Sequence, residues 1–321
     1  MTASLLLAGC ADDNGAAQGT HETVKGGDSG PGDSGLGDSG PTGVDRGSSA
    51  GQTYEVALGP VSLAPGEERV VCVDRRLQSD HDTDIVGISA DLTEGGHHLV
   101  FYKSNATEES TAPVACNSFR GFFGGVVPLF IAQKAHTELK YPAGVAYTLP
   151  AGQMVRVELH FLNTTQKPLD VTGTVRLQEA LGGTVVDHAN LLFYGSLNIS
   201  VPPLATATVG PKFHRFAATT PHIFGLTGHQ HHRGTGVTIE LASSATEPGK
   251  TLYDNPDWGD PPLVVFDPPL TTTAGQGLRY SCSYYNPTNQ VVSFGEGFNQ
   301  EMCFLWAYYY PDMGFEIGLD P

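Results

Sequence analysis

Apolar residues in this chain recur with a period of two, in runs too short for helices, and this alternation constrains the fold more than any other feature. Tyr54-Glu55-Val56-Ala57-Leu58, Arg69 to Val73, Asp84 to Ile88, Leu99 to Tyr102, Val155 to Phe161 and Val171 to Leu177 all belong to this pattern. Side chains on a strand point alternately to opposite faces, so each run can turn one apolar face to a core. Between the runs lie turn residues drawn from 40 Gly and 22 Pro, and no long amphipathic helical pattern competes. The pattern predicts an all-β protein of sandwich type. No apolar span is long enough to cross a bilayer as a helix.

Before Thr53 the composition is different. Leu5-Leu6-Leu7-Ala8-Gly9-Cys10 resembles a bacterial lipobox with Cys10 as the lipidated residue, and Ala11 after it favours the outer membrane or cell surface. No Lys or Arg precedes the run, and it is short for a signal core, so the leader over residues 1–10 is expected to be incomplete as written. Residues 11–50 are rich in Gly, Asp and Ser, with Gly-Asp-Ser-Gly at Gly27, Gly32 and Gly37. Such a segment buries too little apolar surface to offset its ordering entropy and is expected to be a flexible tether. The repeats match the nucleophile motif of chymotrypsin-like proteases, but no folded His and Asp precede them. About 270 residues remain, enough for two domains of ordinary size. They are expected at 51–185 and 186–321, with the seam near Gly182 to Asn190.

The formal charge of −17 disfavours a nucleic acid or an anionic membrane surface as partner, because a phosphate backbone needs a basic face. Part of that charge lies in the tether. Asn105-Ala106-Thr107 fits a glycosylation acceptor, but in a chain with a bacterial lipobox it reads as chance. Setting Cys10 aside leaves Cys72, Cys116, Cys282 and Cys303, which an exported protein is expected to pair, in one of three ways.

The chemistry-bearing residues are histidines. In Gly228-His229-Gln230-His231-His232-Arg233-Gly234 the His-X-His step puts His229 and His231 on one face of a strand, an arrangement that suits a metal without naming it. A cupin would need a carboxylate four or five residues on, and a metallohydrolase an Asp at the next alternate position. Arg233, Gly234, Thr235 and Gly236 fit neither. A second cluster, Gly95-Gly96-His97-His98, places neighbouring imidazoles on opposite faces of a regular strand, so a bulge is required for both to bind one ion, and the glycines make it easy. His160 lies in Val155 to Phe161, and Glu301-Met302-Cys303 lies near the end.

Taken together, these motifs resemble the copper type II, ascorbate-dependent monooxygenases, the family that includes peptidylglycine alpha-hydroxylating and dopamine beta-monooxygenases. A Glu-Met-Cys triplet stands before an aromatic run ending in Tyr310-Pro311, as in the family, and the resemblance spans roughly residues 53 to 311 with motifs that are specific in combination though weak singly. It implies two jelly-roll-type sandwiches facing each other across a solvent-filled cleft. It implies two coppers, one on His97, His98 and His160 for electron storage and one on His229, His231 and Met302 where dioxygen binds. The thioether is a soft ligand that favours Cu(I). The disulfides it implies are Cys72–Cys116 and Cys282–Cys303. His222, seven residues before His229, is given a supporting role beside the metal, and His232, on the other face, a structural hydrogen bond. His21, His81, His136, His188 and His214 have no motif support and are expected to be surface or structural residues.

The activity implied is hydroxylation of a C–H bond with dioxygen and a one-electron donor such as ascorbate. In the peptide-amidating member an arginine, an asparagine and a tyrosine hold the substrate carboxylate; here Thr227, Phe304 and Trp306 stand at those positions. None offers the charge-assisted partner a buried carboxylate needs, so a small neutral or aromatic substrate, packed on Phe304 and Trp306, is expected. The chain is expected to be a monomer, exported and tied to the membrane only through its lipid. The alternative is a non-catalytic copper-binding surface lipoprotein that captures copper or transfers electrons.

Overall fold

Every regular element of the computed structural model is a strand among the described residues, which are 50–117, 125–216 and 220–320. Cys10, the three Gly-Asp-Ser-Gly repeats and His21 lie outside them. Eleven strands make the first half: β1 (Ala50–Leu63), β2 (Glu68–Arg76), β3 (Thr83–Leu92), β4 (Gly96–Lys103), β5 (Val114–Ala115), β6 (Val127–Ala132), β7 (His136–Lys140), β8 (Val145–Leu149), β9 (Met154–Leu162), β10 (Leu169–Ala180) and β11 (Asp187–His188). The second half runs through β12 (Asn190–Ser196), β13 (Ser200–Val201), β14 (Ala205–Arg215), β15 (His222–His229), β16 (Gly234–Ala242), β17 (Lys250–Asn255), β18 (Val264–Thr271), β19 (Gly277–Asn286), β20 (Val292–Ser293), β21 (Phe304–Tyr310) and β22 (Glu316–Asp320).

In the first half, the sheet β1-β10-β3-β8-β11, with β7 also on β3, accompanies the sheet β5-β2-β9-β4-β6. In the second, β18-β15-β21-β12-β22 accompanies β14-β19-β16-β17. Pairing is antiparallel except for β11 with β8 and β22 with β12. The chain leaves the first half after His188, still paired to Ala146, and enters the second at Asn190, paired to Tyr309. Each half has a buried asparagine that ties a loop: the Asn163 amide donates to the carbonyls of Leu63, Ala64 and Lys167, and that of Asn286 to Val201, Pro202 and Gln290.

Strand β21 shows how the halves are joined. Alternation sends Leu305, Ala307 and Tyr309 into one apolar cluster with Ile239, Leu278 and Tyr280 of the facing sheet. Phe304, Trp306 and Tyr308 point the other way, into a cluster continuous with the first-half core around Leu99, Phe130 and Leu159. Six of its seven residues are buried, as for a central strand covered on both faces. The Ile131 N–H donates to the Tyr308 hydroxyl at 3.3 Å, and Tyr141 packs on Phe224. Residues from Gly47 onward accordingly form one compact unit. Along β21 the halves meet through direct apolar contact, because this strand has two faces to bury.

Both expected disulfides form. Cys72–Cys116 links β2 to the segment after β5, and Cys282–Cys303 links β19 to the residue before β21.

Gly195 on β12 faces Phe304, and a Cβ there would come within 1.7 Å of the ring, which also packs on Phe193 and Phe294. A ring so enclosed has little room to retreat, so Gly195→Ala is expected to lower stability by about 1–3 kcal/mol, the usual cost of overpacking. Urea denaturation checks this: an unchanged midpoint would mean that the ring has somewhere to go.

Candidate metal centre

The first histidine group forms at the start of β4. Gly95 adopts a left-handed φ of +87°, and the register against β9 slips between Gly96, opposite Phe161, and His98, opposite His160. His97 is the extra residue of the expected bulge. Its ring lies 5.1 Å from that of His98 and 5.3 Å from that of His160, centroid to centroid, and His98 is 5.0 Å from His160. The second group forms where β15 ends. His229 is paired to Phe304, and His231 sits in the turn into β16, which the Gly234 N–H closes on the His231 carbonyl. These two rings are 5.3 Å apart.

The structure brings both groups together. His98 lies 5.1 Å from His229, and His97 lies 6.0 Å from His229 and 5.9 Å from His231. Five imidazoles, three from the first half and two from the second, thus lie in one cluster. Closure of the halves around β21 is the cause. His97, His98 and His229 can each offer a nitrogen within 4.8 Å of the others'.

Rear contacts decide which nitrogen each ring presents. Gln133, just after β6, donates its amide hydrogens to the Gly228 carbonyl at 3.0 Å and to Thr227 Oγ1 at 3.1 Å. Its Oε1 is therefore the acceptor for His229 Nδ1–H at 2.6 Å, which leaves the lone pair of His229 on Nε2. His231 Nδ1–H donates to the Gln300 carbonyl at 2.9 Å, and its buried Nε2 has no hydrogen-bond partner among the described residues. His160 works the other way round. Its Nε2 meets Glu68 Oε1 at 2.9 Å, and the bare nitrogen is Nδ1. Glu68 Oε1 also accepts the Phe298 N–H at 2.8 Å, so this carboxylate joins the two halves.

Glu301 holds the second group from behind. Its Oε2 accepts the His231 N–H at 3.0 Å and its Oε1 the Arg233 N–H at 2.7 Å, so the whole turn hangs on one buried carboxylate. Burial pushes this carboxyl up to about 7, while the backbone N–H groups of Arg233, His231 and Met302 pull it down. Met302 is buried next to it, its carbonyl accepting the Tyr284 hydroxyl at 2.7 Å.

Burial holds the rings of His97, His98 and His229 well below the usual imidazole range and brings His231 down to about 4. They are neutral at pH 7, as metal ligands must be. Buried ring nitrogens without a hydrogen-bond donor are costly unless a cation meets them. A nitrogen-rich set of neutral imidazoles has the donor chemistry of copper, so the histidines fit the expected metal; Met302 is buried next to Glu301 in the chain.

Three expectations need correction. His222 does not reach the cluster. It lies at the opposite end of β15, seven residues or roughly 23 Å along an extended strand, where its ring stacks on Tyr310 and its Nδ1 bonds Thr271. Phe304 and Trp306 form no substrate wall, because both are enclosed with Phe193 in the core between the halves. Thr227 is buried as well, donating to the Pro262 carbonyl. His232 is structural as expected, stacked on Phe298 and bonded to its carbonyl. The partly exposed aromatics at the cluster are Trp258, 5.9 Å from His97 and 6.1 Å from His232, and Phe298. Neither Trp258 nor Gln133, Glu68 and Phe298 carries a sequence motif. Glu301 does, in its Glu-Met-Cys triplet. His81, His136 and His214 each meet carboxylates away from the cluster, and His188 bonds Thr148.

Residues 212–319 match the family model for the copper type II ascorbate-dependent monooxygenase C-terminal domain. The match takes in His229, His231, Cys282, Met302 and Cys303, and over this stretch the resemblance to the family is shown. No curated protein matches the chain. Among solved structures it is similar to the major capsid protein P2 from bacteriophage PM2, at 9% identity over 82% of this chain and 100% of that one, with a TM-score of 0.34. It is also similar to a chain of the cowpea mosaic virus top component, naturally occurring empty particles, at 11% identity over 88% and 96%, with a TM-score of 0.31. Likenesses this distant carry no argument about function.

The buried histidines make stability depend on pH. A ring whose folded pKa is depressed, as for His231 at about 4 against an unfolded value near 6.5, contributes stability that is present above about 6.5 and lost as pH falls toward 4. Glu301, raised to about 7, acts oppositely, its contribution being lost as pH rises through that value. Five lowered histidines, His232 among them, outweigh one raised carboxyl. The urea midpoint of the chelator-treated protein is expected to rise from pH 4 to about pH 6.5, and a flat or falling profile would contradict the neutral cluster.

Proposed function

We propose that the chain is a copper-dependent monooxygenase that hydroxylates a C–H bond of a small organic substrate, using dioxygen and a one-electron donor such as ascorbate. The observation that carries this reading is the convergence of five imidazoles, three of them held by hydrogen bonds from behind, with two in a stretch that matches the family's C-terminal domain. His97, His98 and His160 would hold one copper, and His229, His231 and Met302 the other. Bound copper supplies one-electron redox chemistry and the activation of dioxygen.

The chain's own residues do the rest. Gln133, Gln300 and Glu68 fix the ring nitrogens that face the centre, and Glu301 holds the His231 turn in place. The core between the halves keeps bulk water from one side of the histidines. Trp258 and Phe298, half-buried at the cluster, offer apolar surface to a substrate in place of the enclosed Phe304 and Trp306. The disulfides suit an oxidising compartment, in keeping with export and a lipid on Cys10.

A second reading has its own observation. Because His97, His98 and His229 bring three nitrogens within 4.8 Å, one copper could be shared between the halves, as a capture or electron-transfer protein would need.

Copper titration of the reduced, metal-free protein is expected to give two ions per chain. His160→Ala should remove one and leave carbon monoxide binding at the Met302 site, Met302→Ala should do the reverse, and ascorbate should drive oxygen uptake by the loaded wild type. One ion per chain would favour the shared site. Two ions without oxygen uptake on any small substrate would favour the non-catalytic protein.

A further inference from the structure

We propose that Gln133 is a positioning residue for the metal centre of the second half, supplied across the interface by the first. The proposal rests on the copper-binding reading above. Gln133 follows the last residue of β6 and is itself buried, and each of its three side-chain hydrogen bonds ends on the segment Thr227–His229 of β15. The two N–H bonds, to Thr227 Oγ1 and the Gly228 carbonyl, leave the amide only one orientation that satisfies all its partners. That orientation aims an acceptor at His229 Nδ1, so the proton stays on Nδ1 and the lone pair on Nε2. His231 takes its own rear acceptor from Gln300, within its half, whereas the acceptor at His229 Nδ1 comes from the other half. The form of His229 that can bind metal is thereby tied to contact between the halves.

The tests use the full chain. In the metal-free protein, ring ¹⁵N shifts of His229 should report a proton on Nδ1. In Gln133→Leu, which keeps the bulk and removes the acceptor, they should report a mixture or the Nε2–H form. Gln133→Glu, which restores an acceptor oxygen at the same place, should return the proton to Nδ1. On copper titration Gln133→Leu should weaken the His229, His231 and Met302 site by 10- to 100-fold, the usual effect of losing a partner behind a ligand. It should leave the His97, His98 and His160 site unchanged, and the stretch of carbon monoxide bound to the reduced protein should shift. An unchanged His229 tautomer in Gln133→Leu would overturn the proposal, as would equal weakening of both sites, which is the signature of a purely structural loss. Wild-type protein that binds no copper would defeat the functional reading and leave the tautomer test standing.

Discussion

Strand β21 has to be buried on both faces, and the arrangement of the molecule depends on this. Leu305, Ala307 and Tyr309 complete the second sandwich, while Phe304, Trp306 and Tyr308 can leave water only by packing against the first half. The same strand is the neighbour of β15, so the contact that hides its aromatic face also carries His229 toward His98. A slip of one residue would exchange the two faces. The bond from Cys303, just before the strand, to Cys282 on β19 works against such a slip.

Around the histidines, polar groups stand behind three of the rings and fix which nitrogen each presents. The partners are of different kinds: a side-chain amide behind His229, a main-chain carbonyl behind His231 and a carboxylate behind His160. For His231 and His160 the other nitrogen is buried with no hydrogen-bond partner among the described residues. Such a cluster is unfavourable as a metal-free object and becomes favourable when a cation enters, which couples metal binding to stability. Glu301 adds a further cost, a carboxyl inside the protein, and in return the turn carrying His231 keeps its shape.

Much of the fold was legible in the sequence. Alternating runs such as Tyr54 to Leu58 became strands, and the bulge demanded by adjacent His97 and His98 appears after Gly95. These are local properties, decided by which way neighbouring side chains point. The cysteine pairing is different, because the residues alone allowed three solutions and the family resemblance selected the one found. That resemblance misled at Phe304 and Trp306, where alternation showed that they share a face without showing what that face meets. It misled at His222 as well, since a fixed spacing along a straight strand separates residues as surely as it aligns them.

The sequence by itself determined an all-β chain and two groups of histidines suited to a metal, because strand period and bulge are short-range features, while copper and a place for Met302 came from the resemblance to the family. Only the tertiary structure decided that the two groups meet, that Trp258 rather than Trp306 stands at their edge, and that Gln133 and Glu68 orient their rings. Gln133 and His229 are 96 residues apart, and Glu68 and His160 are 92 apart. Contacts at that distance are made by the packing of one sheet against another, and no periodicity in the chain encodes them.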